Sequence, residues 1–155
     1  MIPSYSRNED QLYGPTEVNE NSETSKESYY FSKPDHRNTA KKKKEKTRWE
    51  IKEGQEFHIF KIAEESNTEI PNSRWYCEKN KCLFSIHDNG KTILGKGSER
   101  LAKFPEPINT NDNWHGYPVK GKESQNLPSE KLLDVWKKED VITETTKKRI
   151  ETKRL

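Results

Sequence analysis

Two histidines, His87 and His115, are the side chains best suited to proton transfer in this chain, with Arg100 as a cation to accompany them. An imidazole titrates near neutrality and can give or take a proton. A guanidinium can stabilise an anionic transition state. Together they would suffice for metal-independent cleavage of RNA, although their spacing alone brings none of the three together. Lys103 is a second cation for that role.

Metal chemistry has one candidate, the Cys-x4-Cys pair Cys77 and Cys82, which would need His58, His87 or His115 to complete a zinc site. His87 is poorly placed for it, being about 16 Å along a strand from Cys82 and on the opposite face at ~3.3 Å per residue. The expected reading is two packed thiols, able to form a cross-strand disulfide under oxidation, with no metal and no cofactor. Gly95-Lys96-Gly97-Ser98 has backbone N–H groups of the kind that cradle a phosphate, with Lys91, Lys96, Arg100 and Lys103 around it. It lacks the P-loop spacing, so a glycine-permitted turn is the simpler expectation. The segment Asn111 to Tyr117 holds Trp114, His115 and Tyr117, which either cover the sheet or stack on unpaired bases.

Charge is the clearest global signal. The 155 residues carry a net +3, with 28% hydrophobic and 35% charged residues, a mix too polar to bury a core along the whole length. Residues 1–40 are net acidic. Lys41, Lys42, Lys43, Lys44, Lys46 and Arg48 form a basic block broken only by Glu45 and Thr47. A second block, containing Lys147 and Lys148, closes the chain, while the stretch between the two blocks is slightly acidic. Such blocks are solvated linkers or phosphate anchors acting through counterion release. No apolar run reaches the roughly 20 residues a membrane span needs. The first residues lack a secretory signal, and two cysteines do not make a disulfide scaffold. The cytoplasm is the expected compartment.

The elements that must position these residues follow from the patterning. Residues 1–48 read as a disordered tail ending in the basic linker 41–48, with Tyr29-Tyr30-Phe31 its one aromatic cluster. Residues 49–155 read as one α+β domain: a small antiparallel meander of three or four strands packed with two or three C-terminal helices. Asn89-Gly90 predicts a type I′ hairpin opposing Ile86 to Ile93 and Ser85 to Leu94. An upstream hairpin sets Trp75, Tyr76 and Cys77 against Phe84, Leu83 and Cys82. Alternation over 56–62 predicts a fourth strand. Helices are expected at 98–104, at 129–138 on Leu132, Leu133 and Trp136, and from an N-cap at Thr143 towards Lys153 with Ile150 buried. The order helix, Asp140–Thr143, helix resembles a helix-turn-helix, and equally the helical hairpins that serve as oligomerisation modules in bacterial proteins. That likeness spans 129–155 alone and implies no particular family.

Three functional readings follow. The leading one is a non-enzymatic binding module that contacts nucleic acid or an acidic partner through the basic blocks, with Trp114 and Tyr117 stacking on bases. The second is a small RNA-cleaving, toxin-like domain using His87, His115 and Arg100. The third is a protein-interaction adaptor or inhibitor.

Overall fold

The structure is a computed structural model that describes residues 2–7, 11–16, 28–37, 47–66, 82–107 and 112–155. In chain order its elements are strands β1 (Leu12–Tyr13) and β2 (Tyr30–Phe31), helix α1 (Glu53–Ser66) and strands β3 (Cys82–Ile86), β4 (Leu101–Pro105) and β5 (Tyr117–Val119), followed by helices α2 (Glu130–Lys138) and α3 (Glu144–Glu151). Strands β3, β4 and β5 form an antiparallel meander, and β1 pairs with β2 in a separate two-stranded ribbon. The chain thus has the expected α+β class, with a small antiparallel sheet and C-terminal helices.

Side chains alternate across a strand, so each of the sheet's faces collects its own core. Leu83, Ala102 and Phe104 meet Phe57, Ile59, Phe60 and Ala63 of α1 on one face. Phe84, Ile86, Leu101 and Val119 meet Leu132, Leu133, Trp136, Ile142 and Ile150 on the other. Both faces are covered, by α1 on one side and by α2 with α3 on the other.

Helix α1 is in turn covered on its outer side by pieces of the N-terminal region. Ile2, Tyr13 and Tyr30 belong to its core. The Tyr13 ring stacks on Phe57 at 5.7 Å, Tyr5 meets the same ring edge-on at 5.2 Å, and Gln55 Nε2 donates to the Ile2 carbonyl at 3.0 Å. Packed structure therefore extends upstream of Trp49, where the sequence places its start. The firmest tie is polar. The carboxylate of Glu56, fully buried, accepts from Tyr30 Oη at 2.7 Å, Ser32 Oγ at 2.8 Å and Arg37 Nη1 at 2.7 Å. Three donors from residues 30–37 converge on one helix residue, which satisfies a charge that would otherwise be costly to bury.

Three expectations need correction. Residues 56–62 are helical and part of α1. Apolar residues lie on both the sheet-facing and the outer side of that helix, so no single stripe advertises a 3.6-residue period. Residues 98–104 do not form a helix. β4 runs through 101–105 and pairs with β3, with Ala102 and Phe104 on the α1 face and Leu101 on the α2–α3 face. The Asn-Gly hairpin is also absent: Ile86 faces Leu101 and Ser85 faces Ala102, while Ile93 is exposed. The upstream hairpin with Trp75, Tyr76 and Cys77 lies outside the described residues.

In place of the hairpin, the chain leaves β3 through three successive left-handed residues, Asp88, Asn89 and Gly90, with φ of 50°, 56° and 81°. This turn is where α3 docks. Asn89 Oδ1 accepts from the Thr143 backbone N–H at 3.0 Å, and Thr143 Oγ1 accepts from the Thr146 N–H at 3.2 Å, so two residues cap one helix start. A Cβ on Gly90 would lie 3.0 Å from a Leu155 methyl and 3.2 Å from an Ile86 methyl, which explains glycine at the tightest point. Both C-terminal helices form where expected. Ser129 caps α2, and α2 ends at a left-handed Asp140 with the Val141 N–H returning to the Trp136 carbonyl at 2.8 Å.

Candidate functional site

Arg100, expected to face an anionic substrate, reaches back across the turn. Its Nη1 donates to the carbonyls of Gly90 at 2.9 Å and Lys91 at 2.8 Å. It braces a left-handed segment whose carbonyls have no ladder partner. We expect Arg100→Ala to lower stability by about 1–3 kcal/mol, the scale for hydrogen bonds to a charged group. Urea unfolding measures this, and hydrogen exchange should localise the loss to the 88–91 turn and α3. Lys103 is likewise engaged internally: it is buried on β4 and donates to the Gln125 carbonyl at 2.7 Å.

The glycine turn at 95–98 holds an anion already, and that anion is the chain's own. Glu99 is buried, and its Oε1 accepts from the Gly97 N–H at 2.8 Å. A Cβ on Gly95 would lie 2.2 Å from the same oxygen, so the carboxylate fills the cradle a phosphate would need. Lys96 pairs with Glu50 at 3.4 Å on the surface.

The aromatic loop closes over the α1 core. Trp114 is 4% exposed, its backbone N–H donates to the Tyr29 carbonyl at 2.8 Å, and its ring lies 5.6 Å from that of Phe60 between centroids. An indole placed there presents no face to a base. Tyr117, half-buried, stacks on His36 at 4.9 Å and 17°, and burial raises its pKa. Gly116 lets this segment lie on the core, since a Cβ there would sit 2.1 Å from the Phe104 ring.

The histidines divide. His115 follows Trp114 in the segment bridged to β2. His87 follows β3 with its Nδ1 2.6 Å from Thr92 Oγ1, and its ring lies beside that of His58 on α1, 6.5 Å between centroids at 74°. Both rings are held below the usual histidine pKa, in each case chiefly by burial, with the neighbouring His87 adding to the effect on His58. Tyr5 stacks on His58 at 6.1 Å, and Lys61 Nζ lies 5.0 Å above the Tyr5 ring. The sequence offers His58 for metal alone. Its grouping with Lys61 at i and i+3 on one helix face becomes legible once 53–66 is read as a helix. Among the described residues no group of three or more His, Cys, Asp and Glu could hold a metal ion, and Cys82 is buried.

Of the basic residues, Lys41, Lys42, Lys43, Lys44 and Lys46 lie outside the described residues. Arg48 donates to the Arg37 carbonyl at 3.2 Å. Lys147 pairs with Asp134 at 2.7 Å and Lys137 with Glu144 at 2.6 Å, two reciprocal links between α2 and α3. Lys148 and Arg149 remain exposed. Beyond them Arg149 Nη2 donates to the Arg154 carbonyl at 3.4 Å, and Lys122 Nζ donates to the Lys153 carbonyl. Lys122, Lys148, Arg149, Lys153 and Arg154 thus gather, all exposed, at the end of α3, with Glu123 and Glu151 as carboxylates next to them in the sequence. No helix among the described residues is long and apolar enough to cross a membrane. Comparison with known proteins returned no matching family model, no matching curated protein and no matching solved structure.

Proposed function

We propose that this chain is a nucleic-acid-binding module whose contact surface is the basic cluster at the end of α3, joined by the block Lys41–Lys44 and Lys46, and that it works in the cytoplasm. The observation that carries this reading is the cluster itself. None of Lys122, Lys148, Arg149, Lys153 and Arg154 has an ion pair among the described residues, while Lys137 and Lys147 nearby are neutralised by carboxylates. Part of that charge complements the carbonyl end of the helix. Five exposed cations around a single helix end exceed what that role requires, since the effect falls off within the last turn. With Trp114 buried and Tyr117 stacked on His36, the recognition proposed is of phosphates, through counterion release, and not of bases.

The five cations of the α3 cluster alone give a log–log salt slope of about −4 to −5 on duplex DNA, so affinity should fall by at least on the order of 10²–10³ between 50 and 200 mM salt. Fluorescence anisotropy with duplex DNA and single-stranded RNA measures it. Removing Lys148 and Arg149 together should flatten the slope by about 2. Lys147→Ala should leave the slope unchanged and instead loosen the α2–α3 contact. A full-length chain that binds neither polymer at 50 mM salt would sink the reading.

A further inference from the structure

The basic cluster accounts for neither histidine at the junction of α1 and β3. His58 and His87 come from distant parts of the chain, yet their rings lie 6.5 Å apart between centroids. Each ring has one nitrogen turned inward. Nδ1 of His87 is engaged by Thr92 Oγ1 at 2.6 Å, and Nδ1 of His58 is buried with no hydrogen-bond partner. Nε2 is therefore the nitrogen each ring can offer outward, and both residues keep part of their surface exposed. The charged neighbours are few. Lys61, 3.5 Å from Tyr5 Oη, is a cation beside His58, while the α-amino group lowers the His87 pKa and Asp88 raises it. Tyr5 fixes the plane of His58 from one side. The turn after His87 also carries Gly90, which abuts Leu155 next to Arg154 of the basic cluster.

We propose that His58 and His87 are an acid–base pair that cleaves RNA by internal transesterification. The inference takes its ligand class from the binding function proposed above and adds a site and a step. With Nδ1–H donated to Thr92, His87 presents an unprotonated Nε2 that takes the proton of a ribose 2′-hydroxyl. The 2′-oxygen attacks the adjacent phosphorus and forms the 2′-O–P bond. The P–O5′ bond breaks, and His58, protonated at Nε2, gives its proton to the departing 5′-oxygen. The products are a 2′,3′-cyclic phosphate and a free 5′-hydroxyl, with one proton taken up and one released. Each imidazole must come within about 2.6–3.2 Å of its oxygen when the phosphodiester is bound. Lys61 offsets the charge that builds on the phosphoryl oxygens. Because burial lowers the pKa of both rings, the state with one neutral and one protonated ring is populated on the acid side of neutrality.

The test uses the full chain and an end-labelled single-stranded oligoribonucleotide, in EDTA, from pH 4.5 to 8, with the all-DNA oligonucleotide in parallel and anisotropy on both. We expect RNA to be cut and DNA left intact, since DNA lacks the 2′-hydroxyl. The rate should peak below pH 6.5 and the products should end in cyclic phosphate. His58→Gln and His87→Gln should each lower the rate by about 100-fold or more while RNA binding is kept. Should His87→Gln fail to fold, His58→Gln, on a helix whose neighbours hold it, carries the test alone. RNA that binds and stays intact overturns the cleavage and leaves the binding function standing. RNA that neither binds nor is cut overturns both. Cleavage unchanged in both variants, or abolished by EDTA, overturns the histidine pair.

Discussion

Glu56→Ala should cost the fold about 3–5 kcal/mol, the scale for removing one partner of a buried, hydrogen-bonded charge pair. The loss is large because three donors are stranded together: the Tyr30 hydroxyl, the Ser32 hydroxyl and the Arg37 guanidinium all end on this carboxylate. The segment 28–37 should detach first, carrying Tyr30 out of the α1 core. Urea unfolding gives the size of the loss, and hydrogen exchange at Phe31, whose N–H donates to the Trp114 carbonyl at 2.7 Å, gives its location. Glu56→Gln separates charge from shape. Burial, working against the three donors, pushes the Glu56 carboxyl up to about 7. A value raised in the folded state means that the protonated form is the one the fold favours. Its contribution is fully present below the unfolded value near 4.5 and is lost as the pH rises through about 7. Wild-type stability should therefore decline between those limits by at most about 3 kcal/mol from this group. Glu56→Gln should flatten that decline. An unchanged pH profile in Glu56→Gln would show that Arg37 already holds the carboxylate ionised.

Trp136→Ala should be of similar size and act on the opposite face. Trp136 is fully buried and sits in the core that α2 and α3 share with Phe84, Ile86 and Leu101. Truncating a buried tryptophan typically costs about 3–5 kcal/mol through lost transfer energy and the cavity left behind. Besides Trp136, the largest side chain of that core, the α2–α3 pair is held by Leu132, Leu133, Ile142 and Ile150, two surface ion pairs and the Asn89 cap. Amides of Val135 to Ile150 should exchange first, while those of α1 and β3 stay protected. Uniform loss of protection across both faces would show that the two cores fold as one unit.

The C-terminal third of the fold was legible in the sequence because its signals are local. Ser129 and Thr143 are caps whose side chains bond the backbone three residues on, and Leu132, Leu133 and Trp136 mark one face of α2. The rest depends on distant chain. α1 is apolar on several sides because Tyr13 and Tyr30 lie over one side and Leu83 and Phe104 under the other, so its pattern mimics a strand. Asn89-Gly90 has the residues a tight hairpin wants, but left-handed backbone also suits a docking turn, and the choice is made by α3 and Arg100. The candidate site shows the same divide. His87 can be picked out by residue type, whereas its partnership with His58 requires α1 to lie across β3. Lys147 and Lys148 are neighbours with the same side chain, and Asp134 on another helix decides which one is left exposed.

The wrapping of α1 by upstream chain also sets a timetable. During synthesis from the N-terminus, Tyr30 and Phe31 are made before the helix that carries Glu56, and well before Trp114, whose backbone completes their hydrogen bonding. At about 5–20 residues per second, the interval between Phe31 and Trp114 is roughly 4–17 s. Through that interval β2 has its β1 partner, and later α1, but lacks the backbone bonds that Trp114 supplies, which leaves that edge of the ribbon open to chaperones or to other nascent chains. A segment made before its partners is thus among the last to be seated.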